Sequence, residues 1–152
     1  MSPRRIALLV VGLVVAVMVG FWLHHSDEEQ VREAADAIVE GANQGPFELT
    51  RALSEYATEG VSVTVSDLPE PLLSRGAIVA AASRPVAGGK LSFRMQTVQI
   101  SVEGSNARLN AEFAATLQLG LRGLTRKRSG VALFQKIDGR FLLVSAEIGG
   151  EL

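Results

Sequence analysis

The longest regular alternation of apolar and polar positions in the chain lies at Ala107–Leu121. Every odd-numbered residue of this stretch is apolar, and most even-numbered residues are polar or small. The polar set consists of Arg108, Asn110, Glu112, Thr116 and Gln118. A period of two predicts a β-strand with one buried face. Because strands rarely exceed about 10 residues without twisting, we expect this one to curl, with bends at Ala114–Ala115 and Leu119–Gly120.

Period-two patterns also surround this strand. On its N-terminal side, Leu91, Phe93 and Met95 share one parity, and Val98, Ile100 and Val102 share the other. The change of parity at Gln96–Thr97 predicts a β-bulge. On its C-terminal side, Asp138-Gly139 predicts a tight hairpin between strands at Val131–Ile137 and Phe141–Ile148. The sequence E-G-S-N at 103–106 predicts another turn, and residues 122–130 are predicted to be a connection.

The first half of the soluble part has helical periodicity instead. Ser26 and Glu29 form a capping box ahead of one amphipathic helix, and Pro46 suits the first turn of a second. Ser74 is expected to cap a short third helix, and Val61–Val65 alternates as a short strand. The predicted order is therefore α-α-β-α-β-β-β-β, with the last four strands forming an antiparallel meander. This order places the domain in the α+β class.

An uncharged run of eighteen residues, Ile6–Leu23, precedes the domain. As a helix it would be about 27 Å long, close to the roughly 30 Å hydrocarbon core of a bilayer. Arg4 and Arg5 before it, and the interfacial aromatic residues Phe21 and Trp22 near its end, favour a single-pass transmembrane anchor with a cytoplasmic N-terminus. A cleaved signal peptide, which would leave a secreted ligand carrier, is the alternative.

The expected organisation thus has three parts. Residues 1–5 are cytoplasmic, residues 6–23 form the anchor, and residues 24–152 form an extracytoplasmic domain. The expected location is the inner or cytoplasmic membrane, which places the domain in the periplasm of a Gram-negative organism.

Composition excludes several classes of function. The 152 residues include no cysteine, which removes disulfides, thiol nucleophiles and cysteine-bound metals. The only histidines, His24 and His25, are adjacent beside the anchor, so we expect neither a metal site nor a Ser-His-Asp triad. The net charge of −1 lacks the basic excess that nucleic-acid binding needs. No cofactor motif is present.

The element order resembles that of the nuclear transport factor two-like, or cystatin-like, α+β cone superfamily. The resemblance rests on A-D-A-I-V-E-G-A-N-Q-G for the first helix and its exit, on V-S-V-T-V-S-D…S-R-G-A-I, and on the closing hairpin A-L-F-Q-K-I-D-G-R-F-L-L-V. It covers residues 27–149 and implies a strongly bent antiparallel sheet wrapped around the first helix. The superfamily includes isomerases, dehydratases and cyclases, together with binding modules that have no catalytic activity.

The resemblance places Asp67 about where isomerases of this superfamily keep a carboxylate base. The matching positions for their tyrosine and protonated acid fall near Ile38 and Val131–Ala132, which supply no oxyanion hole. An isomerase, dehydratase or cyclase with Asp67 as general base is therefore the alternative function. A loop aspartate that caps its own turn is the structural interpretation of the same residue.

The sequence favours a membrane-anchored, non-catalytic domain for protein interaction or assembly at the envelope, with room for a small apolar ligand. The candidate pocket residues are Tyr56, Phe93, Phe113 and Phe134. A basic cluster of Arg122, Arg126, Lys127 and Arg128 is interpreted either as a solvated hairpin or as a contact for anionic lipid or an acidic partner. The polar face of Ala107–Leu121 is expected to face solvent, a protein partner or a second copy in a homodimer.

Overall fold

The computed structural model describes residues 3–83 and 89–151, and the side chains of residues 10–19 and 26–149 within those ranges. It contains three helices and five strands over these residues. They are α1 (Pro3–Gln44), α2 (Pro46–Tyr56), β1 (Ala57–Val65), α3 (Arg75–Ala82), β2 (Lys90–Glu103), β3 (Asn106–Leu119), β4 (Arg122–Ile137) and β5 (Arg140–Glu151). The α+β class and the element order predicted from the sequence are confirmed.

The five strands form one sheet in the order β1-β5-β4-β3-β2. Strands β2 to β5 pair antiparallel as consecutive neighbours, which confirms the predicted meander. Strand β1 adds to β5 in the parallel direction, a pairing that needs the crossover through α3 and the meander. One face of the sheet packs against the helices, and we call it the inner face.

The predicted bulge lies where the parity of β2 changes. Pairing of β2 with β3 shifts between Gln96 and Gln99, and Thr97 has a positive φ of 49°. The extra residue is what moves Val98 and Ile100 onto the face that Met95 occupies before the bulge. The Asp138-Gly139 hairpin is also confirmed, with φ values of 51° and 79° that suit a type I′ turn.

The expectation that a connection follows the long strand is wrong. Strand β4 begins at Arg122, so residues 122–130 belong to a 16-residue strand rather than to a connection. Their sequence has little apolar alternation, but every residue from Arg122 to Gln135 pairs in unbroken register with β3. The main-chain N–H and C=O groups of these residues form hydrogen bonds with β3, and this pairing outweighs the weak local sequence pattern. The pairing of β3 with β4 has no register shift at Ala114–Ala115, where a bend is predicted, and Gly120, at φ 61°, lies in the turn that follows β3.

Helix α1 is longer than expected. It extends without interruption from Pro3 to Gln44. Ser26 therefore lies inside a helix, and the predicted capping box there is wrong. Between His24 and Glu40 the chain contains neither proline nor glycine, so nothing interrupts the helix.

Within the described part of the chain, no helix combines the length and apolarity that crossing a membrane requires. The structure therefore does not support the anchor expected at Ile6–Leu23. The side chains of Arg4, Arg5, Phe21 and Trp22, on which that expectation relied, lie outside those that the structure describes.

The core lies between α1, α2 and the inner face of the sheet. Its largest fully buried side chains are Val31 of α1, Leu53 of α2, Val61 of β1 and Leu109 of β3. Two polar contacts tie α1 to the sheet at either end of the core. Lys136 lies 3.4 Å from Asp27, and the side-chain amide of Asn43 makes two hydrogen bonds with the main chain of Phe93.

Candidate functional site

An apolar cavity of about 200 Å³ lies between the helices and the inner face of the sheet. Three of its wall residues are the aromatic side chains Phe93, Phe113 and Phe134, which are candidate pocket residues in the sequence. The helical wall is formed by Ala35, Ile38, Val39, Ala42, Leu49, Ile78 and Ala82. The remaining wall residues come from β1, β2, β3, β4 and β5. The cavity therefore touches every element of the domain.

The cavity remains open because much of its wall is small. Five alanines line it, from α1, α3, β4 and β5: Ala35, Ala42, Ala82, Ala132 and Ala146. Gly130 on β4 has a related role, because a Cβ there would lie 2.4 Å from Cε2 of Phe113. The Phe113 ring lies across this glycine, a placement that any larger residue would disturb.

The cavity exposes only apolar atoms of the residues that line it. Glu147 is the one charged residue among them, and its side chain is exposed to solvent. General acid–base catalysis needs a titratable group within hydrogen-bonding reach of the reacting atom, and these walls offer none. Such a surface can hold an apolar molecule by removing it from water.

Asp67, the candidate base, lies in the turn after β1 and does not line the cavity. Its carboxylate oxygen is 2.9 Å from a guanidinium nitrogen of Arg128, and its side chain is 63% exposed. Arg128 is only 16% exposed. The pair joins the turn after β1 to the fourth strand. It gives Asp67 a structural role that the sequence did not reveal, because the two residues are 61 positions apart.

Tyr56 is placed differently from the expectation, since it lies outside the apolar cavity. It ends α2 and lines a shallow surface depression with acidic residues of α1, among them Glu33. Desolvation, and then the charges of Glu55 and Glu33, raise the pKa of the Tyr56 phenol above its ordinary 10.0. The Arg140 guanidinium stacks 5.9 Å from the ring centroid and acts in the opposite direction.

The four basic residues of the predicted cluster all lie on the first half of β4, which makes them part of the sheet. Alternation along the strand divides them, because Arg122, Arg126 and Arg128 are on one face and Lys127 is on the other. Register with Phe113 places Arg128 on the inner face, so the arginines share the face that lines the cavity. The four residues that form one cluster in the sequence therefore lie on two opposite faces of the sheet.

A row of three leucines lies beside these arginines and was not singled out from the sequence. Leu91 pairs with Leu117, and Leu117 pairs with Leu124, so the three lie side by side across β2, β3 and β4. We call them the leucine row. Leu124 is 62% exposed, and Leu119, one step further along β3, is 38% exposed. The apolar alternation of β3 indicates which leucines share a face of the sheet, but it does not indicate that this part of the face is exposed to solvent.

Among the described residues no group of three or more histidine, cysteine or acidic side chains is arranged to hold a metal ion.

Comparison with known proteins finds no matching family model and no matching curated protein. Solved structures do match. A nuclear transport factor 2-like protein with a cystatin-like fold from Novosphingobium aromaticivorans is 18% identical, with 86% of each chain covered and a TM-score of 0.76. A candidate dehydratase from Streptomyces avermitilis is 19% identical, with 84% of this chain and 98% of that chain covered and a TM-score of 0.69.

The association domain of a calcium/calmodulin-dependent kinase from C. elegans is 8% identical, with 83% of this chain and 97% of that chain covered and a TM-score of 0.67. A candidate enzyme and an assembly domain thus share this backbone, and at such identities the likeness concerns the fold alone. The chain has the nuclear transport factor 2-like, cystatin-like α+β cone fold that its element order predicted.

Proposed function

We propose that this chain is a membrane-tethered, non-catalytic binding domain that holds a small apolar molecule inside its cone. The observation that carries the proposal is the cavity, whose walls expose only apolar atoms. A binding pocket with no polar group inside it selects for size and apolarity. It also lacks the acid, base or hydrogen-bond donor with which an active site would stabilise a transition state.

The size of the cavity sets the scale of the ligand. An apolar cavity of about 150 Å³ inside a protein stays dry and takes up benzene, and this one measures about 200 Å³. A ligand of one or two fused rings, or a short alkyl segment, therefore fits.

The binding test uses the full chain in nanodiscs of zwitterionic lipid, with alanine methyl groups labelled for NMR. Titration with naphthalene should shift the methyl signals of wall residues such as Ala35, Ala132 and Ala146. The Ala132→Leu variant, which fills the cavity, should abolish these shifts. Leu133→Phe, one residue along the same strand and 45% exposed, is the matched control and should bind as the original chain does. Absence of wall-specific shifts in the original chain would reject the proposal.

The tether is part of the proposal. Helix α1 projects beyond the domain, and its apolar side chains from Val10 to Val19 are exposed around the helix. An exposed apolar surface of this kind on a helix calls for a cover of lipid or protein. We propose lipid, with the N-terminus cytoplasmic and the domain on the other side of an inner or cytoplasmic membrane.

Because the chain has no cysteine, single cysteines report the orientation directly. Ser105→Cys, in the exposed turn between β2 and β3, should react in intact cells or spheroplasts with a maleimide that cannot cross the membrane. Ser2→Cys should react only after the cells are lysed. Equal labelling of both positions in intact cells would refute this topology.

Protein interaction remains a proposal that the sheet surface supports. The outer face of β3 presents Arg108, Asn110, Glu112, Thr116 and Gln118, all partly or fully exposed. Opposite charges on one face can pair across a two-fold axis. Sedimentation of the detergent-solubilised chain, with Arg108→Glu as the variant, tests the homodimer: a dimer that persists unchanged in this variant would exclude this face.

A further inference from the structure

The apolar wall of the cavity continues beyond the helices along the inner face of the sheet. Phe113, at the cavity, is followed on the same face of β3 by Ala115 and Leu117. At about 3.3 Å per residue, the distance from Phe113 to Leu117 is about 13 Å. Phe93 of β2 is similarly followed by Leu91. An apolar chain leaving the cavity would therefore stay on apolar surface as far as the leucine row.

This extension begins where α1 ends. Asn43, in the last turn of α1, donates a hydrogen bond of 2.8 Å to the Phe93 carbonyl and accepts one of 2.6 Å from its N–H. The helix ends at Gln44, so its side chains cover the sheet up to Phe93. The exposure of Leu119 and Leu124 shows that the sheet surface past this point is open to solvent.

Two arginines flank the open surface on the same face. Arg122 pairs with Leu119 and Arg126 pairs with Ala115, while Leu124, between them on β4, pairs with Leu117. Each arginine is two residues from Leu124, about 7 Å along the strand. Both arginine side chains are therefore long enough for their guanidinium groups to reach a ligand atom that lies over Leu124. Lys127, the intervening residue, is on the opposite face.

Charge is strongly segregated at this end of the molecule. Residues 89–96 and 112–129 contain six basic side chains and a single acidic one, Glu112, although the whole chain carries a slight negative charge. Two further acidic residues reach this end from elsewhere in the chain, because Asp67 contacts Arg128 and Glu151 of β5 pairs in register with Arg128. Basic residues there still outnumber acidic ones by six to three. The field at the open surface therefore favours an anion.

We infer that the molecule bound in the cone is a single-chain anionic amphiphile. Its tail occupies the cavity and the leucine row, and its carboxylate or phosphate head lies at Arg122 and Arg126. This inference rests on the proposed function, because it assigns a head group to the apolar ligand proposed above. The planar guanidinium pairs well with carboxylate and phosphate oxygens, and both head groups satisfy the geometry.

The position of the head group also fixes the direction of entry. On helix α1 the exposed apolar side chains lie on the far side of the core from Asn43, and Val19 is the nearest to Asn43 of those that the structure describes. The 24 residues between them span about 36 Å of helix. A ligand with its head at Arg122 and Arg126 therefore enters from the aqueous side, away from the proposed tether.

The test compares ligands that differ only in their heads. The full chain in zwitterionic nanodiscs, with leucine and alanine methyl groups labelled, is titrated with decanoate, decyl phosphate and decanol. We expect both anions to shift wall alanines together with Leu117 and Leu124, with an apparent affinity at least tenfold higher than that of decanol after correction for partition into the lipid. A difference between the two anions identifies the preferred head group.

Matched glutamine variants locate the head. Arg122→Gln and Arg126→Gln should each weaken decanoate binding about tenfold and leave naphthalene binding unchanged. Lys127→Gln removes the same charge from the other face and should change decanoate binding less than twofold. Arg122 lies beside the turn, so its variant keeps the test valid if Arg126→Gln disturbs the strand.

The outcomes separate the two proposals. Naphthalene binding without any preference for decanoate over decanol would overturn the anionic head group and leave the apolar cavity standing. An equal loss of decanoate affinity in Lys127→Gln and Arg126→Gln would also overturn it, because a general field, not a contact, would then explain the preference. Failure of naphthalene and decanoate alike would reject the proposed function itself.

Discussion

The inner face of β3 has two halves with nearly the same sequence pattern and opposite surroundings. In the covered half, Ala107, Leu109 and Ala111 are at most 6% exposed. In the open half, Ala115 and Leu117 are partly exposed and Leu119 is 38% exposed. The strand itself pairs in unbroken register through both halves. The difference therefore comes from what lies over the strand.

What lies over it is α1, and α1 has a definite end. Its contacts with the sheet extend from Asp27, paired with Lys136, to Asn43, bonded to Phe93. Beyond Asn43, no helix of residues 3–83 or 89–151 covers the exposed Leu119 and Leu124. An alternating pattern reports which side chains share a face, and it leaves open whether another element covers that face. The uncovered half is thereby free to act as a binding surface.

Truncating one leucine in each half should give the largest contrast. Leu109 is 1% exposed, so Leu109→Ala should lower the free energy of unfolding by about 3 kcal/mol. Leu117→Ala, on the same face of the same strand, should lower it by less than about 1 kcal/mol, because less apolar surface is lost from a packed core. Chemical denaturation of the full chain measures both. Similar losses would show that something covers the open half.

Gly130→Ala tests the boundary between the halves. The new methyl group would lie 2.4 Å and 2.9 Å from two carbons of the Phe113 ring, so the ring, which lines the cavity, must move. We expect a loss of about 1–3 kcal/mol in unfolding free energy and weaker naphthalene binding. Gly60→Ala is the control, because a Cβ at that strand position meets nothing within 4 Å. Unaltered naphthalene binding in Gly130→Ala would contradict this placement of the ring.

Asn43→Ala removes the clamp at which coverage ends. Two hydrogen bonds to the Phe93 main chain would be lost, which should lower the free energy of unfolding by about 1–2 kcal/mol. The amide hydrogen of Phe93 should then exchange with solvent faster, because β2 is the edge strand of the sheet and this N–H has Asn43 as its partner. Gln44→Ala, which loses only an exposed bond to Glu40, serves as the control. Equal exchange at Phe93 in both variants would argue against the clamp.

The smallest effect is expected at the ion pair beside the open half. Asp67→Asn should lower the free energy of unfolding by less than about 1 kcal/mol, because Asp67 is 63% exposed and such pairs are screened by solvent. Naphthalene binding should be unchanged. Glu70→Gln, in the same loop, controls for the loss of a negative charge. Loss of a measured isomerase or dehydratase activity in Asp67→Asn would instead support the enzymatic alternative.

Local sequence signals predicted much of the fold. The bulge at Gln96–Thr97, the Asp138-Gly139 hairpin and the Ser74 cap, whose hydroxyl accepts a 3.0 Å hydrogen bond from Ala77, each depend on neighbouring residues. The predictions failed where distant residues decide. Residues 122–130 form a strand because β3 offers a partner. The helix passes through Ser26 because no residue there interrupts it.

The candidate site divides in the same way. Phe93, Phe113 and Phe134 are pocket residues that the sequence proposes, and all three line the cavity. Tyr56 has helical periodicity with the core, yet it faces the acidic surface of α1. Asp67 follows a strand, as a base would, but its partner is an arginine far along the chain. Neither outcome is encoded in a local pattern.

The sequence by itself determined the order of elements, the faces of the strands and the absence of polar groups from the inner positions of β3. These follow from the period of the apolar residues and from turn chemistry, both of which act over a few residues. Only the tertiary structure decided that a cavity remains, that α1 ends short of the leucine row, and that Arg122 and Arg126 share its face while Lys127 does not. The physical reason is that coverage and strand register depend on elements far apart in the chain, whose lengths must fit one another in space.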